Sequence, residues 1–156
     1  MRRDRDWWDR YFLALAKQVS TASKDPSTKV GAVLVQGNRV VGMGYNGFPV
    51  GVDDSEERYN NRDLKLAMVC HAETNAIIMA GDKAKGTTLY VWPSFMLPPI
   101  CNECAKIAIQ AGIAAVVGFV VDESRLNERQ LRWKESIEIS RIMCDEAGVI
   151  YRGVSE

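Results

Sequence analysis

Net charge is the first thing this chain lacks. Twenty Lys and Arg stand against twenty Asp and Glu in 156 residues, a formal charge of zero, and no block of one sign breaks the balance. Proteins that hold nucleic acid or a membrane surface electrostatically carry a basic excess or a basic run, so neither partner is expected. Long apolar runs are missing too. The longest, Ile113 to Val121 with Gly118 inside it, falls well short of the ~20 residues that cross a bilayer. The opening residues Arg2, Arg3, Asp4, Arg5 and Asp6 put acids where a secretory leader keeps its apolar stretch. Four cysteines could form two disulfides, but with 47% hydrophobic residues the chain can build a core without them. Reduced thiols in a cytoplasmic protein are the expectation. Histidine is scarcest of all, with His71 alone.

What is present reads as one domain over residues 1–156. Trp8, Tyr11, Phe12, Leu15, Ala16 and Val19 recur at three- and four-residue steps, predicting an amphipathic helix from Asp4 to about Ser23. Val30–Val35 and Arg39–Tyr45, separated by Gln36, Gly37 and Asn38, predict a hairpin. Residues Asn46 to Arg62 read as a long loop. Helical periodicity resumes near Leu66 and runs through Ala80, with a strand expected at Thr87–Trp92, a helix at Cys101–Ala111 and a buried strand at Ala114–Val121. Trp133, Ile137, Ser140, Cys144 and Ala147 line one face of a last helix, and a short strand is expected at Val149–Arg152. The order implies a mixed sheet with helices on both faces, a three-layer α/β/α sandwich.

Chemistry concentrates at two places. Cys70-His71-Ala72-Glu73 lies at a helix start, and thirty residues past the histidine Cys101-Asn102-Glu103-Cys104 opens the next helix, where a three-residue step sets both sulfurs on one face. Helix N-termini favour thiolates, and thiolates bind zinc. His71, Cys101 and Cys104 supply three ligands, leaving the fourth tetrahedral position for water, as in a catalytic site. Glu73, two residues from His71, is placed to take a proton. A histidine, one residue, a glutamate, and later Pro-Cys-x-x-Cys form the signature of zinc-dependent nucleobase deaminases. Here Ile100 stands between Pro99 and Cys101, which leaves the metal chemistry intact and alters the pocket wall.

At these motifs the sequence resembles the deoxycytidylate (dCMP) deaminase family, and the resemblance covers most of the chain. It runs through Lys24-Asp25-Pro26, Val30-Gly31-Ala32, Gly42-Met43-Gly44-Tyr45-Asn46-Gly47-Phe48-Pro49, Val69 to Ile77, Cys101 to Lys106, and Gln110 to Ile113. The resemblance implies a cytidine-deaminase-like fold and zinc-dependent hydrolysis of the exocyclic amine of dCMP to dUMP and ammonia. Glu73 would shuttle protons to N3 and to the leaving amine. It also implies Asn46 near the sugar, Ser23 and Lys24 near the phosphate, a homo-oligomer (hexamer or dimer), and dCTP and dTTP as candidate effectors. Where members of the family carry a tyrosine-containing segment near the phosphate, this chain reads Phe119-Val120-Val121-Asp122-Glu123-Ser124-Arg125. Asp122 and Glu123 would repel a phosphate. Either Arg125 or Arg129 replaces the contact, or the substrate is another cytosine nucleotide, such as a 5-modified one.

Bland readings stand beside these. Asn46 could be a turn residue, and Lys24 and Lys29 could be solvated charges. Cys70 and Cys144 read as small buried apolar residues, and Trp7, Trp8 and Trp133 as core or oligomer contacts. From other classes, a thiol–disulfide oxidoreductase would use Cys101 and Cys104 but leave His71 and Glu73 unexplained, and a structural zinc module would want a fourth protein ligand.

Overall fold

The computed structural model describes residues 1–156. Helix α1 (Arg5–Ser20) precedes a hairpin of β1 (Gly31–Gln36) and β2 (Arg39–Tyr45). Helices α2 (Glu56–Asn60), α3 (Arg62–Met68) and α4 (Ala72–Ala80) lead to β3 (Thr88–Trp92), α5 (Asn102–Gln110) and β4 (Ala115–Val120). The short α6 (Glu128–Leu131), α7 (Lys134–Ala147) and β5 (Ile150–Ser155) complete the chain. The strands form one sheet in the order β2-β1-β3-β4-β5. It is antiparallel from β2 to β3 and parallel from β3 to β5. The hairpin turn has positive φ at both Gly37 and Asn38, the conformation whose twist suits a two-residue connection.

Strand alternation divides the interior in two. Ala32, Leu34, Leu89, Val91 and Val116 face one way and pack with residues of α4, α5 and α7. Val33, Val35, Tyr90 and Val117 face the other way and pack with Phe12, Leu13 and Ala16 of α1. This is the α/β/α sandwich with a mixed sheet that the element order implied.

The buried side of α1 is rotated from the apolar stripe. Its buried residues are Asp9, Phe12, Leu13, Ala16 and Ser20, while Tyr11 is exposed. Asp9 explains the rotation. Its carboxylate accepts hydrogen bonds from Arg152 Nε at 2.7 Å, Arg152 Nη2 at 2.8 Å and the Tyr90 hydroxyl at 2.7 Å. A buried carboxylate so paired is tolerated where an isolated one would not be. The bond also links helix α1 to the last strand.

Two further departures concern the segment that leads into the site. Residues 46–62, expected as loop, contain α2, and the helix expected from Leu66 to Ala80 is two helices, α3 and α4. Periodicity alone would run them together. Between them Cys70 exchanges backbone hydrogen bonds with Gly47, Cys70 N–H to Gly47 O at 2.8 Å and Gly47 N–H to Cys70 O at 3.1 Å. Those bonds hold the chain extended at the residue just before His71.

Helix α4 lies on β2 with almost nothing between the two backbones. A Cβ on Gly44 would come within 2.5 Å of Ala72 O and Ala76 N, and one on Gly42 within 2.5 Å of Ala76 O. Real side-chain carbons do not approach backbone that closely, so these two glycines set the depth of the helix.

Two outcomes follow from this packing. Asp9→Ala leaves Arg152 and Tyr90 without their acceptor and is expected to lower the unfolding free energy by about 3–5 kcal/mol in urea titration. Gly44→Ala must lift the first turn of α4, so metal analysis of the purified variant is expected to show reduced zinc per chain.

Candidate active site

His71 and Cys101 occupy equivalent positions on two helices. Each is the N-cap residue, His71 of α4 with φ −73° and ψ 151°, Cys101 of α5 with φ −74° and ψ 165°. An N-cap residue has extended backbone, and its side chain stands beside the unpaired N–H groups of the first turn. Cys101 Sγ accepts from Cys104 N–H at 3.5 Å, and Cys104 follows one turn later on the same face. The start of α5 is anchored in turn by α7: Asn102 N–H donates to Ser136 Oγ at 2.9 Å, and that hydroxyl donates to Asn102 Oδ1 at 2.7 Å.

The three residues converge. His71 Nδ1 lies 3.4 Å from Cys101 Sγ and 3.3 Å from Cys104 Sγ, and the potential ligand atoms all lie within 4.8 Å of one another. A tetrahedral zinc with bonds of ~2.3 Å to sulfur and ~2.0 Å to nitrogen separates those atoms by ~3.5 Å. The donor set therefore fits zinc in both chemistry and spacing, and zinc is the cofactor. Nδ1, facing both sulfurs, is the nitrogen offered to it.

Electrostatics in the metal-free cluster are those of a thiolate–imidazolium pair. Hydrogen bonds from Cys104 and His71 pull the Cys101 thiol down to about 4. The hydrogen bond to Cys101 pushes His71 up to about 9. Cys104 is driven upward, first by its hydrogen bond with Cys101 and then by burial. Glu73 is buried in the first turn of α4, with Oε2 3.7 Å from Cys104 Sγ. Burial raises its pKa, so its proton is held more tightly than on a solvated carboxylate.

A cavity of about 570 Å³ opens over this cluster. Asn46 is in its wall, but its amide is already engaged: Oδ1 accepts from Val30 N–H at 2.8 Å, and Nδ2 donates to Thr28 O at 2.9 Å. Ser23 and Lys24, expected near the phosphate, do not line the cavity. Ser23 is buried behind it, donating to Asn46 O at 2.9 Å, and the Lys24 ammonium reaches outward to Asp54 at 2.6 Å. A buried pair missed in the sequence, Lys65 with Asp25 at 3.2 Å, lies in the wall instead. Lys65 stands on α3, within the segment whose periodicity was ambiguous, and nothing local marks its partner.

Ile100 is buried and lines the cavity with Phe95, Met96 and Pro99 of the long segment before Cys101. Trp133, expected in the core or an oligomer contact, is also in the wall, with its ring 6.5 Å from that of His71 in an edge-on arrangement. Of the two arginines proposed as alternatives, Arg129 lines the cavity and Arg125 does not; neither do Asp122 and Glu123.

Zinc binds neutral imidazole and thiolate, so loading expels whatever protons those groups carry. At pH 7 the metal-free protein holds a proton on His71, whose value lies near 9, and one on Cys104, whose value is raised, while Cys101 is already ionised. Calorimetry in buffers of different ionisation enthalpy is expected to show about two protons released per zinc, and affinity that weakens as pH falls.

Comparison with known proteins agrees with this geometry. Residues 6–120 match the family model described as the cytidine and deoxycytidylate deaminase zinc-binding region. The chain is 39% identical over 144 residues to an uncharacterised deaminase in the luxG 3′ region of Aliivibrio fischeri, covering 91% of this chain and 90% of that protein. It is 39% identical over 154 residues to the deoxycytidylate deaminase of Homo sapiens, covering 93% and 78% respectively. Its fold matches the crystal structure of dCMP deaminase from the cyanophage S-TIM5 with a TM-score of 0.68 and 20% identity, over 97% of this chain and all of that one. With the family model matching residues 6–120 and relatives near 40% identity over most of its length, the chain belongs to the cytidine and deoxycytidylate deaminase zinc-binding family.

Proposed function

We infer that this protein is a zinc-dependent hydrolase that converts dCMP and water to dUMP and ammonia. The single observation that carries the reading is the buried Glu73 carboxyl set beside a three-ligand cluster and opening onto one cavity. Relatives named deoxycytidylate deaminase, about 40% identical over most of the chain, support the choice of substrate.

His71, Cys101 and Cys104 are the residues that hold the metal. When bound there, zinc supplies Lewis-acid chemistry that brings the pKa of water towards ~7, making hydroxide available at neutral pH. Glu73 receives the proton of the attacking water. It passes that proton to N3 as the C4–O bond forms, then carries a second proton to the exocyclic nitrogen, which departs as ammonia when the C4–N bond breaks. Burial raises the pKa of this carboxyl, so it takes up a proton more readily than a solvated carboxylate and can hand that proton on to the substrate. Ile100, Phe95, Met96 and Trp133 form the apolar part of the wall that receives the planar ring and excludes bulk water. Asn46 keeps one lone pair of Oδ1 for a sugar hydroxyl after accepting from Val30. Its larger role is to brace the loop carrying Ser27 and Thr28.

The catalytic unit is one domain over residues 1–156. Ile78 and Met79 are exposed on α4, a helix with apolar residues around most of its girth, which supports a homo-oligomer, hexamer or dimer. Four unpaired cysteines and a free nucleotide as substrate suit a cytoplasmic enzyme. No helix is long and apolar enough to cross a membrane.

Ammonia release should be measured with zinc-loaded protein over dCMP, CMP, deoxycytidine, dCTP and 5-substituted dCMP, with and without dCTP and dTTP as effectors. Turnover is expected for dCMP above the others, and a 5-substituted nucleotide turned over in its place would redirect the substrate assignment. Glu73→Gln is expected to keep its zinc while kcat falls by roughly 10²–10⁴-fold. Unchanged turnover in that variant would remove Glu73 from the mechanism.

A further inference from the structure

The stretch after β4 reaches the cavity wall through Arg129, Arg132 and Trp133, on very little support. The 3₁₀ turn Glu123–Arg125 and helix α6 contain no buried residue. What orders α6 is local: Asn127 Oδ1 accepts from Gln130 N–H at 2.9 Å while Gln130 Oε1 accepts from Asn127 N–H at 3.0 Å, a capping box. A short polar helix so exposed adds little to the core.

Its basic residues are unusual in another respect. Arg129 and Arg132 both line the cavity, and neither takes part in any of the six ion pairs of the structure. The only hydrogen bond from either guanidinium is a long one, Arg129 Nη1 to Ser27 O at 3.5 Å. Ser27 and Thr28 lie below in the same wall, and their backbone amides are spent on Asp25 Oδ1 at 2.8 and 3.2 Å, while neither hydroxyl is engaged by the protein. Across the opening, Arg62 adds a third cation without a carboxylate partner. The acids that precede α6 do not enter this wall. Two forked donors without a counter-ion, above two free hydroxyls, make the geometry of a phosphate acceptor site.

Resting on the reading of the protein as a cytosine nucleotide deaminase, we propose that Arg129 and Arg132 are the specificity-determining residues that make it select a 5′-monophosphate over the free nucleoside. His71, Cys101 and Glu73 line the same cavity as the α6 cations, so one site offers groups for a base and for an anion together. Because Trp133 directly follows Arg132 and lies against His71, a phosphate drawn to α6 also brings the aromatic wall onto the base.

The test compares wild type with Arg129→Ala, Arg132→Ala and the double variant, with Arg125→Ala as a control that lies outside the cavity. All three positions are exposed, so folding and zinc content should be unchanged. Each cavity variant is expected to raise KM for dCMP by roughly 10- to 100-fold with kcat largely kept. Turnover of deoxycytidine should not move, and the salt dependence of KM should flatten in the double variant. Equal losses on dCMP and deoxycytidine, or an unchanged KM for dCMP, would overturn the proposal. Calorimetry with dUMP and deoxyuridine separates this proposal from the activity itself. Wild type is expected to bind dUMP more tightly, and the double variant to bind the two alike. A wild type that binds both equally would sink the phosphate assignment even if dCMP is turned over. A wild type with no turnover but tighter dUMP binding would sink the deaminase reading and leave the anion site standing.

Discussion

Everything at the metal cluster depends on one close contact, that of helix α4 against strand β2. Gly42 and Gly44 leave the strand bare, and the helix backbone sits where side chains would otherwise be. Its first turn is thereby fixed relative to the sheet, and with it His71 as N-cap and Glu73 one residue into the helix. The bridge between Cys70 and Gly47 adds a second restraint immediately upstream. Together they determine where the imidazole meets two sulfurs presented by a different helix. A site that needs ligand atoms within a few tenths of an ångström gains more from backbone contact than from flexible side chains.

Polar groups are buried on both sides of the sheet, and each is satisfied. No buried side-chain nitrogen or oxygen lacks a hydrogen-bond partner. Asp9 with Arg152 and Tyr90 joins α1 to β5, and Asp25 with Lys65 joins the loop before β1 to α3 at the cavity wall. Removing one member of such a group leaves an uncompensated charge in a poorly solvated place. The first group affects stability on the face away from the metal. The second holds the part of the cavity wall on which Ser27 and Thr28 stand.

Much of the fold and the metal cluster was legible from residue spacing. The short apolar runs of β1, β3 and β4 mark buried strands, and the three-residue step between Cys101 and Cys104 has direct geometric meaning because side-chain direction follows backbone period. Other features were not legible for identifiable reasons. Periodicity ran α3 and α4 together even though His71 read as a helix start, since the bridge that separates them comes from Gly47, far away in sequence. The stripe of α1 found most of the inner face but not Asp9, which is buried because a residue at the other end of the chain neutralises it. Trp133 looked like a core residue because a helical stripe does not distinguish a packed interior from a cavity wall.

By itself the sequence determined the mixed α/β order and singled out the histidine, the two cysteines and the glutamate that the fold brings together. Those follow from local rules: periodicity, helix starts, and the chemistry of thiol, imidazole and carboxyl groups. Only the tertiary structure decided which cations line the cavity. Lys24, adjacent to a motif, is drawn outward by Asp54, while Arg129 and Arg132, on a segment without an apolar pattern, are carried to the cavity wall. A charged side chain goes where its counter-charge and solvent allow, and that balance is set by contacts between residues distant in the chain.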